Sequence, residues 1–131
     1  MISARPPGGS RRAAPARAML AAMVVLLCST DSGAHTFVNR SEPRAGATLG
    51  ESPANVRIWF DGPVERLFLK LHVEDGDNRR VDMHDGRVHP LDNTLVEARL
   101  SPLRPGRYRV FWGVVARDGH PREGTFSFLV K

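Results

Sequence analysis

After its first 34 residues the sequence predicts an all-β fold, a Greek-key sandwich or barrel of about seven strands. Three observations predict it. Apolar and polar residues alternate with a period of two, most clearly where Leu67, Leu69, Leu71 and Val73 interleave with Phe68, Lys70, His72 and Glu74. Gly, Pro and Asp-Gly pairs punctuate the chain at short intervals. No segment carries a helical period, and no internal repeat or low-complexity tract interrupts the pattern.

Taken in order, residues 36–40 form a first short strand. Residues 41–55, with Pro43, Gly46, Gly50 and Pro53, form a long irregular connection. Val56, Ile58 and Phe60 then alternate with Arg57, Trp59 and Asp61 in a second strand. Residues 67–74 make the third, and Asp75-Gly76 and Asp85-Gly86 are turns around a short strand over 79–83. Residues 94–100, 107–115 and 125–130 complete the set. Tyr108, Val110, Trp112 and Val114 share one face of the penultimate strand and are expected in the core. Seven strands in a single domain of this length suggest an immunoglobulin-like shape.

Residues 1–34 read as a secretory signal peptide. Arg5, Arg11, Arg12 and Arg17 form a positive start, residues 19–28 an apolar run, and Ser32-Gly33-Ala34 a small-residue cleavage site. Cleavage leaves residues 35–131 as one domain. The full chain has 19 Lys+Arg against 14 Asp+Glu, and removing four arginines and Asp31 lowers the net charge from +5 to +2. Without a clustered basic stripe carrying interleaved aromatics, no nucleic-acid partner is expected. The single cysteine, Cys28, lies in the leader, so the mature domain has neither disulfide nor thiolate site. Leu27 before Cys28 does not suit a lipoprotein signal, and the apolar run falls short of the roughly 20 residues of a membrane span. Arg11-Arg12 hints at twin-arginine export, but Ala13-Ala14-Pro15 fits that signal badly. The expected product is a soluble, periplasmic monomer.

Cleavage after Ala34 makes His35 the first residue. A terminal histidine offers its free α-amine and ring Nδ1 as a chelating pair. Asp118-Gly119-His120 supplies a carboxylate and a second imidazole two residues apart, with Gly119 permitting the bend and Pro121 restricting His120 to extended backbone. Three nitrogens and an oxygen suit Cu(II) in a tetragonal plane. Asp118 could bind the metal directly or hydrogen-bond an axial water.

The start His35-Thr36-Phe37-Val38, the run Pro43-Arg44-Ala45-Gly46-Ala47-Thr48-Leu49 and the closing YRVFWGVVARDGHPREGTFSFLV together resemble the CopC family of periplasmic copper-binding proteins. The resemblance covers essentially the whole mature domain. It implies a Greek-key β-fold, a Cu(II) site built from His35, Asp118 and His120, and a role in copper resistance or delivery. Two departures stand out. Many members carry a methionine-rich Cu(I) site, whereas the mature domain here contains only Met83. A Glu that members often place near the copper falls by position on Gly62, leaving Asp61 or Glu65 to substitute.

Each motif also has a plain reading. A D-G-H-P stretch is commonly a simple turn, and His72 is expected to be a solvated or capped histidine on the polar face of its strand. Asp82, His84, Asp85 and His89 lie within eight residues and could hold a weak second metal, but Asp85-Gly86 explains them as a hairpin turn. Three function classes follow. The leading one is a non-catalytic Cu(II) carrier or sequestering protein serving an inner-membrane copper transporter. The others are a histidine-brace copper oxidoreductase, like the lytic monooxygenases, and a metal-free interaction module.

Overall fold

The computed structural model describes residues 38–131 together with Ser3, Ala4, Gly8 and Gly9. The rest of the leader, His35 and the first two residues of the first expected strand lie outside the described residues. Eight strands follow: β1 (Val38–Glu42), β2 (Thr48–Leu49), β3 (Asn55–Phe60), β4 (Lys70–Glu74), β5 (Arg87–His89), β6 (Asp92–Arg99), β7 (Gly106–Val115) and β8 (Pro121–Val130). They form two four-stranded sheets, ordered β1-β3-β6-β5 and β2-β8-β7-β4. The all-β sandwich is therefore what the alternation predicted, and there is no helix among the described residues.

Alternation explains the core. Val56, Ile58 and Phe60 of β3, Val96 and Ala98 of β6, and Val88 of β5 line the inner face of the first sheet. Leu71 and Val73 of β4, Tyr108, Val110, Trp112 and Val114 of β7, and Phe128 and Val130 of β8 line the second. Each large side chain buried there contributes about 1.5–3 kcal/mol. Phe60 meets Trp112 edge-on across the sandwich at 5.2 Å, and Tyr108 stacks on Phe128 at 5.5 Å. The Tyr108 hydroxyl donates to the Arg104 carbonyl at 2.6 Å, the tyrosine corner of immunoglobulin-like sandwiches.

The outer face of the first sheet is ordered by charge. Register places Glu42, Arg57, Glu97 and Arg87 in one row across β1, β3, β6 and β5, with alternating sign. Glu97 accepts from Arg87 at 3.0 Å and lies 3.4 Å from Arg57. Beside this row the Arg40 guanidinium caps Trp59 at 3.8 Å.

Several expected boundaries differ. Residues 67–69 are not strand: Leu67 and Phe68 are 72% and 77% exposed, and Phe68 turns the chain at φ 67°. The chain is crossing between sheets there, and β4 begins only where Lys70 finds Gly113 on β7. The strand expected over 79–83 is reduced to two isolated bridges, Glu74 with Arg80 and Asp82 with Leu100. Asp82 is the reason. Its carboxylate accepts from the Val73 and His84 N–H groups, each at 3.0 Å, and from Nε and Nη2 of the Arg80 guanidinium at 2.8 and 2.9 Å. A side chain thus takes ladder positions that backbone would fill. The irregular connection contains β2, paired parallel to β8, and β5 occupies residues read as following a turn. Asp85-Gly86 is not the hairpin tip, because β5 and β6 turn at Pro90-Leu91.

Candidate metal centre

Asp118, Gly119 and His120 form the tip of the β7–β8 hairpin, whose arms stay in register from Gly106–Val130 to Val115–Pro121. The tip is closed by its own backbone: Ala116 N–H donates to His120 O at 3.0 Å, and Gly119 N–H to Ala116 O at 2.8 Å. Gly119 has φ 87°, a conformation that glycine adopts without a Cβ penalty.

Asp118 and His120 meet. Asp118 Oδ1 accepts the His120 backbone N–H at 3.0 Å, and Oδ2 lies 3.0 Å from Nδ1 of the ring. Chiefly that side-chain hydrogen bond, then the His120 N–H and the nearby Arg122 charge, hold the Asp118 carboxyl below the usual carboxylate range. A carboxylate can only accept, so Nδ1 carries the proton and Nε2 of the neutral ring keeps its lone pair. This is how carboxylates orient metal-binding histidines. The His120 side chain is 71% exposed, so Nε2 is accessible.

The end of the sandwich that carries this turn also receives the start of β1. Val38 pairs with Phe60, the last residue of β3, and packs against the core. The chain after Phe60 then runs to the hairpin tip. Val64 bridges Ala116, Glu65 N–H donates to Val115 O at 2.8 Å, and Arg117 N–H donates to Pro63 O at 3.2 Å. Val64 N–H donates the other way, to Asn93 O on β6, at 2.9 Å. Sequence reasoning weighed Glu65 only as a substitute carboxylate and gave Pro63 and Val64 no role. Pro63, breaking the alternation between two strands, was the available signal.

The remaining histidines are not brought together. His84 lies beside Met83, whose N–H donates to Arg99 O at one end of β6, while His89 pairs with Asp92 at the other. His89 Nδ1 accepts the Leu91 N–H at 3.2 Å, which leaves the proton of the neutral ring on Nε2 and no free lone pair. Asp82, read as part of a surface turn, is buried on Arg80. His72 is half-buried, stacked on Phe111 at 4.8 Å and 3.4 Å from Glu74. Among the described residues no group of three or more His, Cys, Asp or Glu side chains is placed to hold a metal. Asp118 and His120 therefore supply two donors of a set that needs more.

Comparison with known proteins identifies the family and the fold. Residues 38–131 match the CopC domain. The chain is 31% identical over 100 residues to the copper transport protein CutJ of Bacillus subtilis (strain 168), covering 76% of this chain and 18% of CutJ. It thus spans less than a fifth of that relative. It is 30% identical over 117 residues to copper resistance protein C of Xanthomonas campestris pv. juglandis, covering 80% of this chain and 87% of that protein. Protein YobA of Escherichia coli (strain K12) is 28% identical over 116 residues, covering 88% and 94%. Among solved structures, CopC from Methylosinus trichosporium OB3b superposes with a TM-score of 0.68 at 26% identity, over 74% of this chain and 94% of that one. The methionine-rich copper resistance protein PcoC from Escherichia coli gives 0.61 at 26% identity, over 75% and 100%. With the fold, the domain match and the copper-named relatives in agreement, this chain belongs to the CopC family.

Proposed function

We propose that the chain, once cleaved after Ala34, is a periplasmic Cu(II) carrier that holds the ion between His35, Asp118 and His120. The observation that carries this reading is the Asp118–His120 pair, which presents an oriented, exposed Nε2 at the end where β1 begins. His35 precedes Val38 by three residues, a reach of about 10 Å in extended chain. Its amine and Nδ1 would add two nitrogens to that of His120, with Asp118 orienting the ring and lending charge. The antiparallel bridge between Val64 and Ala116 sets Asp61, rather than Glu65, on the side of the turn. Of the two carboxylates left to substitute for the family Glu, Asp61 is thus the one on the turn side, although it forms no three-ligand group with Asp118 and His120.

The domain's role is carriage rather than catalysis. Copper resistance and copper transport are the named roles of relatives, and a domain of this kind makes up 18% of CutJ. An inner-membrane copper transporter is the partner this favours, with the domain acting as a monomer.

The test is the N-terminus. Protein starting at His35 should bind one Cu(II) tightly, whereas one extra residue turns the chelating amine into an amide and should weaken binding sharply. Equal affinities in competition titrations would overturn the reading.

A further inference from the structure

The two parts of the proposed site belong to different sheets. Val38, where the segment from His35 arrives, is in the first sheet, and the Asp118–His120 turn is in the second. Sheets in a sandwich meet mainly through interdigitated side chains, and backbone that crosses between them adds a direct hydrogen-bonded link. At this end it does cross. The adjacent amides of Val64 and Glu65 grip opposite sheets, Val64 on Asn93 of β6 and Glu65 on Val115 of β7, while Pro63 O accepts from Arg117 next to the turn. Val64 is buried and faces buried Ala116. A few residues earlier, Phe60 ties Val38 to Trp112.

We propose that Pro63, Val64 and Glu65 are the positioning element of the copper site, a strap that sets the gap between the entry to β1 and the Asp118–His120 turn. The inference rests on the copper reading above. Metal–ligand distances tolerate only about ±0.2 Å, so donors drawn from two sheets bind well only if the sheets are locked. Linkage is reciprocal: if the strap favours copper, copper tightens the strap.

The experiment compares Val64→Ala with Val56→Ala in protein starting at His35. Both remove the same atoms from the same core, but Val56 lies at the far end, opposite Ala98. Each should lower the denaturant midpoint of the copper-free protein. Val64→Ala alone should weaken Cu(II) binding by about tenfold and alter the electron paramagnetic resonance spectrum. In the unaltered protein, Cu(II) should slow hydrogen exchange at the Val64 and Glu65 amides. The Leu100 and Lys131 amides, bonded to Ala54 and Leu49 elsewhere, should not change. This second measurement decides the matter if Val64→Ala does not fold. Tight binding with a His120-dependent spectrum, but unchanged exchange at Val64 and Glu65 and equal affinities for the two variants, would overturn the strap alone. No Cu(II) binding by the unaltered chain would overturn the copper reading and the strap with it.

Discussion

The indole of Trp112 lies across Gly124, its partner on β8, so closely that a Cβ there would stand 2.6 Å from Cζ2 and 2.8 Å from Cε2. The ring cannot give way without cost, because it is buried and its other contacts include Phe60. Gly124→Ala should therefore destabilise the fold by about 1–3 kcal/mol, through displacement of the ring or of the β7–β8 ladder. Urea denaturation would measure it, and an unchanged midpoint would mean the ring is looser than drawn.

Within the proposed site, His120→Ala should cost more Cu(II) affinity than Asp118→Ala. The first removes a nitrogen donor, and the second releases a ring that keeps its donor, a loss of about 10–100-fold. Electron paramagnetic resonance should count fewer coupled nitrogens in the His120 variant only. A spectrum untouched by His120→Ala but changed by His84→Ala or His89→Ala would place the metal elsewhere.

Asp82 should shape the acid limb of stability. Burial, the largest influence on its carboxyl, opposes ionisation, but the Arg80 hydrogen bonds and the Val73 and His84 N–H groups together outweigh it and hold its pKa below 3.8. A depressed folded-state value means stability that is complete above the unfolded value, near ~3.9, and lost as pH falls through the folded one. Asp82→Ala leaves the Val73 and His84 donors without their acceptor and should cost about 1–3 kcal/mol at neutral pH. It should also flatten the decline below pH ~4, seen in denaturant midpoints across pH. Asp75, Asp85, Asp92 and Asp118, all held low as well, keep some of that decline in place.

Reduction should loosen the metal. Cu(I) prefers thioethers and thiolates, and after residue 34 the chain has no cysteine and one methionine. Met83 is held beside Arg99, at the end of β6 away from Asn93 and the hairpin tip, so it cannot join the site. Competition with a Cu(II) chelator in air and a Cu(I) chelator under anaerobic reductant should show preference for Cu(II). A stoichiometric Cu(I) complex surviving loss of His35 and His120 would contradict this.

Strands with clean alternation were legible because period two alone decides which side chains face inward. β3 and β7 needed no more, and Gly119 with Pro121 marked the D-G-H turn as a tip. Short pieces were not legible. β2 is a strand only because β8 runs beside it, and residues 67–69 alternate as well as any strand but have no neighbour to pair with.

The same division holds at the site. Local spacing determined that Asp118 and His120 would lie on one tight turn, and composition left the domain after residue 34 with one methionine and no cysteine. Tertiary structure decided that Asp82 is buried where it accepts the Val73 N–H, that β6 separates His84 from His89, and that Val64 and Glu65 reach opposite sheets. Chain spacing limits which neighbours a residue can have within a few positions. Which distant backbone groups meet depends on how two sheets pack, and that is set by the whole core at once.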